Sequence, residues 1–382
     1  MKKILTIAAL LTACISFGQT KPKLTDEQKF NQCVSANTNY FTFDGQSPNG
    51  KGWTIMESLF AENQFVAWGE YHNSPIVSQL TTIALEAAAK QGFKTWCIET
   101  SPFVATELMQ IARTKNPADS LISLSKTHPD YPTFAFFKTK EDAQMLVSAN
   151  EFKYTILGVD QEFQMAFPYC MTKVYDAQPN KLKMQYKPVY DSLMVKWWMP
   201  NDKLLDSLKN AVSQPNFKEA LEDIKTSKKI YIGNDNGYDN LLRASLMKRN
   251  FFNYYDNSKV KNEKVFFKMG SNHLAKGMNL ETHIYDIGNA VYELSQRNKT
   301  NFANVYFMAR YSMDEGKIVD DMEADKPENP KVFSKMYDKE KWVLVDVRTL
   351  RERIRNDGTM TIDTYKLIEK YDFVLISPEI SK

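Results

Sequence analysis

The stretch that decides the fold is Phe65-Val-Ala-Trp-Gly-Glu-Tyr-His72-Asn-Ser-Pro75. The apolar run at its start predicts a buried strand that ends at Gly69. Ser74 and Pro75 then predict the start of a helix, with the serine as N-cap and the proline at the first helical position. A strand, a glycine turn and a helix N-terminus in succession are typical of open α/β sheets, which place their chemistry at the carboxyl ends of strands.

Glu70 and His72 come directly after this strand. A carboxylate and an imidazole two residues apart at such an edge can act together in proton transfer. The alternative is an ordinary turn in which both side chains are solvated. Two later predicted strands end on Glu99 and Asp160, and acids from successive strand–helix units predict a shared rim.

Composition bounds the class of protein. The 382 residues suffice for one large α/β domain or two modest ones. Hydrophobic residues make up 43% and charged residues 25%, which is ordinary for a soluble globular chain. The net charge of +3 comes without a concentrated basic run, so we expect a small-molecule substrate or ligand and no nucleic-acid partner.

Residues 1–18 have the pattern of a signal peptide, with two lysines followed by a short apolar core. Small residues at Ser16 and Gly18 predict cleavage before Gln19. The run Leu11-Thr-Ala-Cys14 also fits a lipidation signal, so Cys14 is the alternative N-terminus and the one expected membrane attachment. The apolar residues after Cys14 favour simple export, and we expect a periplasmic or secreted protein.

Three cysteines follow the signal segment: Cys33, Cys97 and Cys170. An odd number allows at most one internal disulfide, and the sequence does not say which pair would form it. Cys97 lies in a predicted strand, where it is expected to be a small buried hydrophobe. No Cys-x-x-Cys occurs, so a structural zinc site is not expected.

The chain divides into a turn-rich N-terminal arm at 19–52 and one α/β domain at 53–382, with an α-helical insertion at about 161–262. The predicted sheet is mostly parallel, with helices on both faces. Strands are predicted at 65–68, 94–100, 154–160, 264–269, 301–310, 342–348 and 372–377. The aromatic stretch 128–137 is predicted to be a loop that either lines a pocket or packs into the core.

Five features, in their order along the chain, resemble the erythromycin esterase family and its relatives, the haem-uptake (ChaN-like) lipoproteins and the Tiki-type proteins. They are Gly69-Glu70-x-His72, Glu99, Gly158-Val-Asp160, Arg243-x-x-x-Met247-x-x-Asn250 and Gly270-x-Asn-His273. The resemblance spans about residues 64 to 290 and implies the α/β fold with its helical insertion. The single residue between Glu70 and His72 is closer to the haem-uptake branch, and Ser271 stands where the esterases have the first histidine of their His-Asn-x-His form.

The resemblance implies an exported hydrolase in which His72 activates water against an ester or amide-type bond. The residues assigned to catalysis are His72, Glu70, Glu99 and His273, and those assigned to substrate binding are Asp160, Arg243 and Asn272. Helix capping and salt bridging are the alternative roles of the acids and of the arginine. The sequence has neither a Gly-x-Ser-x-Gly elbow nor His-Glu-x-x-His, so neither an acyl-enzyme nor a zincin is expected.

Ligand binding in the same cleft is the alternative function, with haem as the example and Tyr71 as its axial ligand. No cofactor is firmly predicted, and a divalent metal or haem is the alternative. A metal, if one binds, would be held by His72, Glu99 and His273. His128 and His283 lie outside the motifs and are expected to be structural.

Overall fold

The computed structural model describes residues 24–126, 132–233, 237–314, 316–323, 330–351 and 361–381. The predicted signal peptide, Cys14, Gln19 and His128 lie outside these residues. The strands are β1 (Thr38–Phe43), β2 (Pro48–Asn49), β3 (Phe65–Glu70), β4 (Thr95–Ile98), β5 (Thr155–Gly158), β6 (Val265–Gly270), β7 (Phe302–Asp314), β8 (Lys317–Asp320), β9 (Trp342–Asp346) and β10 (Phe373–Ser381).

Helices surround the sheet formed by these strands. They are α1 (Asp26–Ala36), α2 (Lys51–Glu62), α3 (Pro75–Lys90), α4 (Pro102–Ala112), α5 (Pro117–Ser125), α6 (Lys140–Glu151), α7 (Phe167–Asp176), α8 (Asn180–Val195), α9 (Asp202–Ala211), α10 (Pro215–Ile232), α11 (Asn240–Asn257), α12 (Ile287–Asn298), α13 (Lys331–Ser334) and α14 (Ile362–Lys370). Short 3₁₀ turns occur at Gln164–Ala166, Ser271–Leu274 and Arg348–Leu350. Among these helices, none has the length and apolarity needed to span a membrane.

The strands form one sheet in the order β2-β1-β9-β10-β7-β3-β6-β4-β5, with β8 paired to β7. The six strands from β10 to β5 in this order are mutually parallel, and β9 is antiparallel to both of its neighbours. The predicted mostly parallel α/β sheet is therefore confirmed. The sequence pattern did not give the strand order.

Strand β3 lies at the centre, between β6 and β7, and every one of its residues is buried. Val66 and Trp68 belong to the apolar cluster on one face of the sheet, and Phe65 and Ala67 to the cluster on the other. Helices therefore cover both faces, as an unbroken apolar strand requires. The predicted cap of α3 is also present, because the Ser74 hydroxyl accepts a hydrogen bond from the Val77 amide.

The N-terminal arm differs from its prediction. Residues 38–43 form β1, which pairs with β9 and extends the sheet. Phe41 is buried and its ring stacks on Trp342, with centroids 5.8 Å apart. The pattern missed this strand because only one of its six side chains is fully buried and because glycines and prolines follow it closely.

Candidate active site

The carboxyl ends of β3, β4, β6 and β7 open into a cavity of about 530 Å³. Register places Glu70, the last residue of β3, beside Gly270, the last residue of β6. Six of the residues that the sequence assigned to the site line the cavity: Glu70, His72, Glu99, Asn272 and His273 near the strand ends, and Arg243 from α11. The strand ends therefore bring the first five side chains to one edge of the sheet, as their positions in the sequence predicted.

Glu99 is the centre of the cluster. It follows β4 and is 4% exposed. One carboxylate oxygen accepts from Arg243 at 2.8 Å and lies 3.4 Å from His273 Nε2, while the other accepts from the Gly270 amide at 2.6 Å. Burial alone would raise the pKa of this carboxyl, but the positive charges of His273 and Arg243 hold it well below its usual value. Glu99 is therefore ionised at neutral pH.

His72 lies between two carboxylates. Its Nδ1 is 3.4 Å from Glu70 Oε1, and its Nε2 is 3.5 Å from Glu99 Oε2. Both separations are longer than an ordinary hydrogen bond. The side chain is 27% exposed, which makes it more accessible than the acids around it. One face of the imidazole stacks on the ring of Phe136, with centroids 3.8 Å apart and planes 18° from parallel.

Glu70 has a second partner inside the protein. Lys268, in the middle of β6, places its ammonium 2.5 Å from Glu70 Oε1, and both side chains are buried. Burial alone would raise the pKa of Glu70, but the charge of Lys268 outweighs it and keeps the pKa below its usual value. Glu70 is thus an anion that faces His72 Nδ1, as a carboxylate that orients a catalytic imidazole does.

His273 faces a carboxylate with each of its ring nitrogens. Nδ1 is 2.8 Å from Asp286 Oδ2, and Nε2 faces Glu99. Burial alone would lower the pKa of this imidazole, but the charges of Glu99 and Asp286 raise it to about 10. His273 is therefore a cation at neutral pH, in contrast to a general base, which must be neutral to accept a proton.

Arg243 lies on α11 and reaches the site from the helical insertion. Its guanidinium lines the cavity and donates two hydrogen bonds to Asp160 as well as one to Glu99. Burial alone would lower the pKa of this guanidinium, but the adjacent carboxylates raise it. Two helical turns further on, Asn250 donates to the Val159 carbonyl, so this face of α11 is fixed to the end of β5.

The predicted contact between Asp160 and substrate is corrected. The side chain is fully buried, does not line the cavity and lies beneath the guanidinium of Arg243. Its Oδ1 also accepts from the Gln161 amide at 2.7 Å. Asp160 therefore acts through Arg243, and the alternative role as a structural ion-pair partner is the one that the structure supports.

Asn272 lines the cavity but has a structural partner as well. Its side-chain oxygen accepts from the Glu281 amide at 3.0 Å, which holds the loop before α12 against the site. His283, in the same loop, is exposed, does not line the cavity and has a left-handed backbone with φ of 54°.

Gly270 permits the close approach of His72 and Glu99. A Cβ atom at this residue would stand 2.8 Å from His72 Nε2 and 3.2 Å from Glu99 Oε2. Gly69 permits the close approach of the backbone of Ser271, because a Cβ at Gly69 would stand 2.7 Å from Ser271 Cα. Both glycines are therefore required by the space available and not by an unusual dihedral angle.

Sequence reasoning missed three residues of the site: Lys268, Asp286 and Phe136. Lys268 is a charged residue inside an apolar strand pattern, which is itself a signal of a buried partner. Asp286 precedes the apolar periodicity of α12 and caps that helix. This position in the sequence does not indicate a contact with His273. Phe136 stood within the aromatic loop for which a pocket lining was one of the two predicted roles.

The proposed metal ligands do not fit a metal. Within the ranges that the structure describes, no group of three or more His, Cys, Asp or Glu side chains is arranged to hold one. His273 faces a carboxylate with each nitrogen, and one oxygen of Glu99 accepts from the guanidinium of Arg243. A cation beside His72, Glu99 and His273 would have to displace these partners.

Tyr71 does not fit the predicted role of an axial haem ligand. Its hydroxyl is buried close to Ser74 and Ser377, and burial raises the pKa of the phenol above its usual value. Iron is bound by the tyrosinate, which this surrounding disfavours.

No protein family and no curated protein matches the sequence. Solved structures do match in fold. A succinoglycan biosynthesis protein superposes with a TM-score of 0.57 at 14% identity, covering 93% of this chain and 97% of that one. A Bacillus cereus protein gives 0.53 at 14% identity over 92% and 97% of the two chains.

A mutant erythromycin esterase in its open conformation gives a TM-score of 0.53 at 12% identity, covering 85% of this chain and 93% of that one. The fold that the resemblance implied is therefore confirmed. Identities this low establish the fold alone, so the activity has to be argued from the site.

Proposed function

We propose that this cleft hydrolyses an ester or amide-type bond with water activated by His72. The observation that carries the proposal is the position of His72. Its imidazole lines the cavity and is 27% exposed, with ionised Glu70 facing Nδ1 and ionised Glu99 beside Nε2. A water molecule bound in the cavity beside Nε2 would meet the imidazole of His72 and an ionised carboxylate.

In the proposed reaction, His72 Nε2 accepts a proton from this water as the oxygen attacks the carbonyl carbon. The resulting imidazolium is stabilised by Glu70, which faces Nδ1. The same proton then passes to the leaving oxygen or nitrogen as the bond to carbon breaks, which releases an acid and an alcohol or amine. No covalent enzyme intermediate is needed.

The negative charge that develops on the carbonyl oxygen needs a positive environment. His273 and Arg243 both line the cavity, and both are cations at neutral pH. Preorganised charges of this kind stabilise an oxyanion more in a partly enclosed site than in water. Their own carboxylate partners keep them in place before substrate binds.

The experiment is a panel of p-nitrophenyl esters, a p-nitroanilide and a macrolide lactone, assayed with purified protein. We expect His72→Gln to lower turnover by about 10²- to 10⁴-fold while the fold is retained. His283→Gln is the matched control, since that imidazole is exposed and outside the cavity. Full turnover in His72→Gln, with a substrate that the parent hydrolyses, would remove the catalytic role.

Haem binding is the alternative function, and it has to be distinguished from hydrolysis by experiment. It is supported by the resemblance of Gly69-Glu70-x-His72 to the haem-uptake branch, whereas the surroundings of Tyr71 speak against it. Titration with haemin, followed by absorbance in the Soret region, tests it. A stoichiometric band that His72→Gln abolishes, in a protein that hydrolyses nothing on the panel, would favour binding over hydrolysis.

We also propose that the hydrolase acts outside the cytoplasm, because residues 1–18 have the pattern of a signal peptide. Intact mass spectrometry of the protein expressed with its own N-terminus is the test. A mature chain that starts near Gln19 is expected, and a diacylglycerol-modified Cys14 would replace this proposal with membrane anchoring.

A further inference from the structure

We infer that Phe136 is a positioning residue for His72, and that its strained backbone is retained for this purpose. The inference rests on the proposed function, because it assigns Phe136 a part in the work of His72. It concerns a loop residue that none of the motifs contains.

The backbone of Phe136 has φ of 63°, in the left-handed region. For a bulky residue this is a genuine outlier that costs free energy, and such outliers persist only where the surroundings enforce them. Here the neighbours of Phe136 along the chain hold its backbone in this conformation. Phe134 and Phe137 are both buried in the core, where Phe134 packs edge-on against Tyr169 and Phe137 packs edge-on against Trp96.

With its neighbours anchored, Phe136 is left half-buried and lines the cavity. Its ring stacks on His72 at 3.8 Å and meets Phe163 edge-on at 5.6 Å. Phe163 in turn lies under the guanidinium of Arg243, 5.6 Å from its ring centroid. Phe136 and Phe163 therefore connect the imidazole of His72 to the guanidinium of Arg243 through successive ring contacts.

The stack supplies a restraint that the carboxylates do not. His72 follows the end of β3 and precedes Asn73, whose own φ is 65°, so the imidazole projects from a turn and not from a strand. Its contacts with Glu70 and Glu99, at 3.4 and 3.5 Å, are too long to fix the plane of the ring. The ring of Phe136 holds that plane, so that one nitrogen faces each carboxylate.

The variant Phe136→Gly separates a positioning role from a packing role. Glycine adopts the left-handed region without strain, so removal of the side chain also removes the backbone cost. We expect an unchanged or higher melting temperature together with a fall in kcat of about tenfold or more and a change in KM below about threefold. Phe136→Tyr, which keeps the ring, should restore kcat.

A second readout does not depend on hydrolysis. The chain has four histidines, and His72 is assigned by loss of its resonance in His72→Gln. An aromatic ring stacked on the imidazole shifts the ring protons of His72 upfield. Phe136→Gly should move them downfield and broaden them, Phe136→Tyr should leave them in place, and the resonances of His283 should not move.

The two readouts distinguish the failures. If the resonances of His72 move as expected but no substrate is hydrolysed, the proposed function fails while the positioning role stands. If they do not move in Phe136→Gly, the positioning role is overturned whatever the activity. A lower melting temperature in Phe136→Gly, with activity lost in the same proportion in Phe136→Tyr, would also overturn it by showing a packing role.

Discussion

At the scale of single residues, Gly270 tests the geometry on which the proposed reaction depends. Its φ of −51° and ψ of 135° are open to any residue, so Gly270→Ala adds only a methyl group, 2.8 Å from His72 Nε2. The imidazole has to move aside, because it is the end of a flexible side chain. We expect a loss of about 10- to 100-fold in turnover with little change in the free energy of unfolding.

Gly69→Ala is the contrasting variant. Its Cβ would meet the backbone of Ser271 at 2.7 Å, and backbone cannot swing away. This variant should lose about 1–3 kcal/mol of stability, as overpacked sites do. Urea denaturation and steady-state kinetics on both variants give the comparison. If Gly270→Ala is destabilised as much as Gly69→Ala and active when folded, the position of the His72 imidazole against Gly270 has no part in the reaction.

His273 predicts a pH dependence of stability. Its pKa is about 10 in the folded chain, against an ordinary value of 6.5. A group that binds its proton more tightly when folded stabilises fully below its unfolded pKa, and this contribution is lost as the pH rises through the folded pKa. The stability that His273 contributes should therefore be greatest near pH 6 and fall progressively towards pH 10.

The measurement is the free energy of unfolding of the parent minus that of His273→Gln, from urea titrations at pH 6, 8 and 10. Loss of one partner of a buried ion pair costs about 3–5 kcal/mol, and we expect a difference of that order at pH 6. His283→Gln, at an exposed position, should show no such trend. A difference for His273→Gln that stays constant from pH 6 to pH 10 would contradict the protonated state assigned to this imidazole.

At the scale of elements, Arg243 joins the helical insertion to the sheet. It connects α11 to residues that follow β4 and β5 through Glu99 and Asp160. Arg243→Met would leave two buried carboxylates without their cation, and we expect a loss of about 3–5 kcal/mol in the free energy of unfolding. The measurement is urea denaturation followed by circular dichroism.

Lys248→Met is the matched control, since it removes a cation from the same helix. The ammonium of Lys248 donates a hydrogen bond to the Tyr285 carbonyl at an exposed position. That change should cost less than about 1 kcal/mol. If the two substitutions lower the free energy of unfolding equally, the ion pairs of Arg243 with Asp160 and Glu99 do not stabilise the folded chain.

The secondary-structure elements also show which parts of the site could be predicted from the sequence. Glu70 ends a strand, and Glu99 and His273 each follow one. Because the carboxyl ends of parallel strands share one edge, their convergence was predictable from local pattern. The partners Lys268 and Asp286 were not, because each contact joins two elements whose adjacency depends on the strand order. The strand order depends on packing between residues that are far apart in the sequence, on both faces of the sheet. No short stretch of sequence can therefore predict it.

At the scale of the whole molecule, the insertion and the sheet share one apolar core. Phe167 and Leu221 of the insertion belong to the same buried cluster as Trp96 and Phe266 of the sheet. A shared core of this kind predicts that the two parts unfold together, since neither can expose its apolar face alone. The chain should therefore behave as one cooperative unit despite the length of the insertion.

Two buried thiols report on this cooperativity. Cys97 lies in β4 and Cys170 in α7, both are free and fully buried, and burial raises the pKa of each thiol well above its usual value. Neither should react with N-ethylmaleimide in the native state, because the thiolate is the reactive form.

Labelling along a urea titration, with the modified peptides quantified by mass spectrometry and fully denatured protein as the reference, should give one midpoint for both. If Cys170 becomes reactive at a lower urea concentration than Cys97, the insertion opens while the sheet remains folded, and the contacts of Arg243 with Glu99 and Asp160 would be lost before the rest of the site.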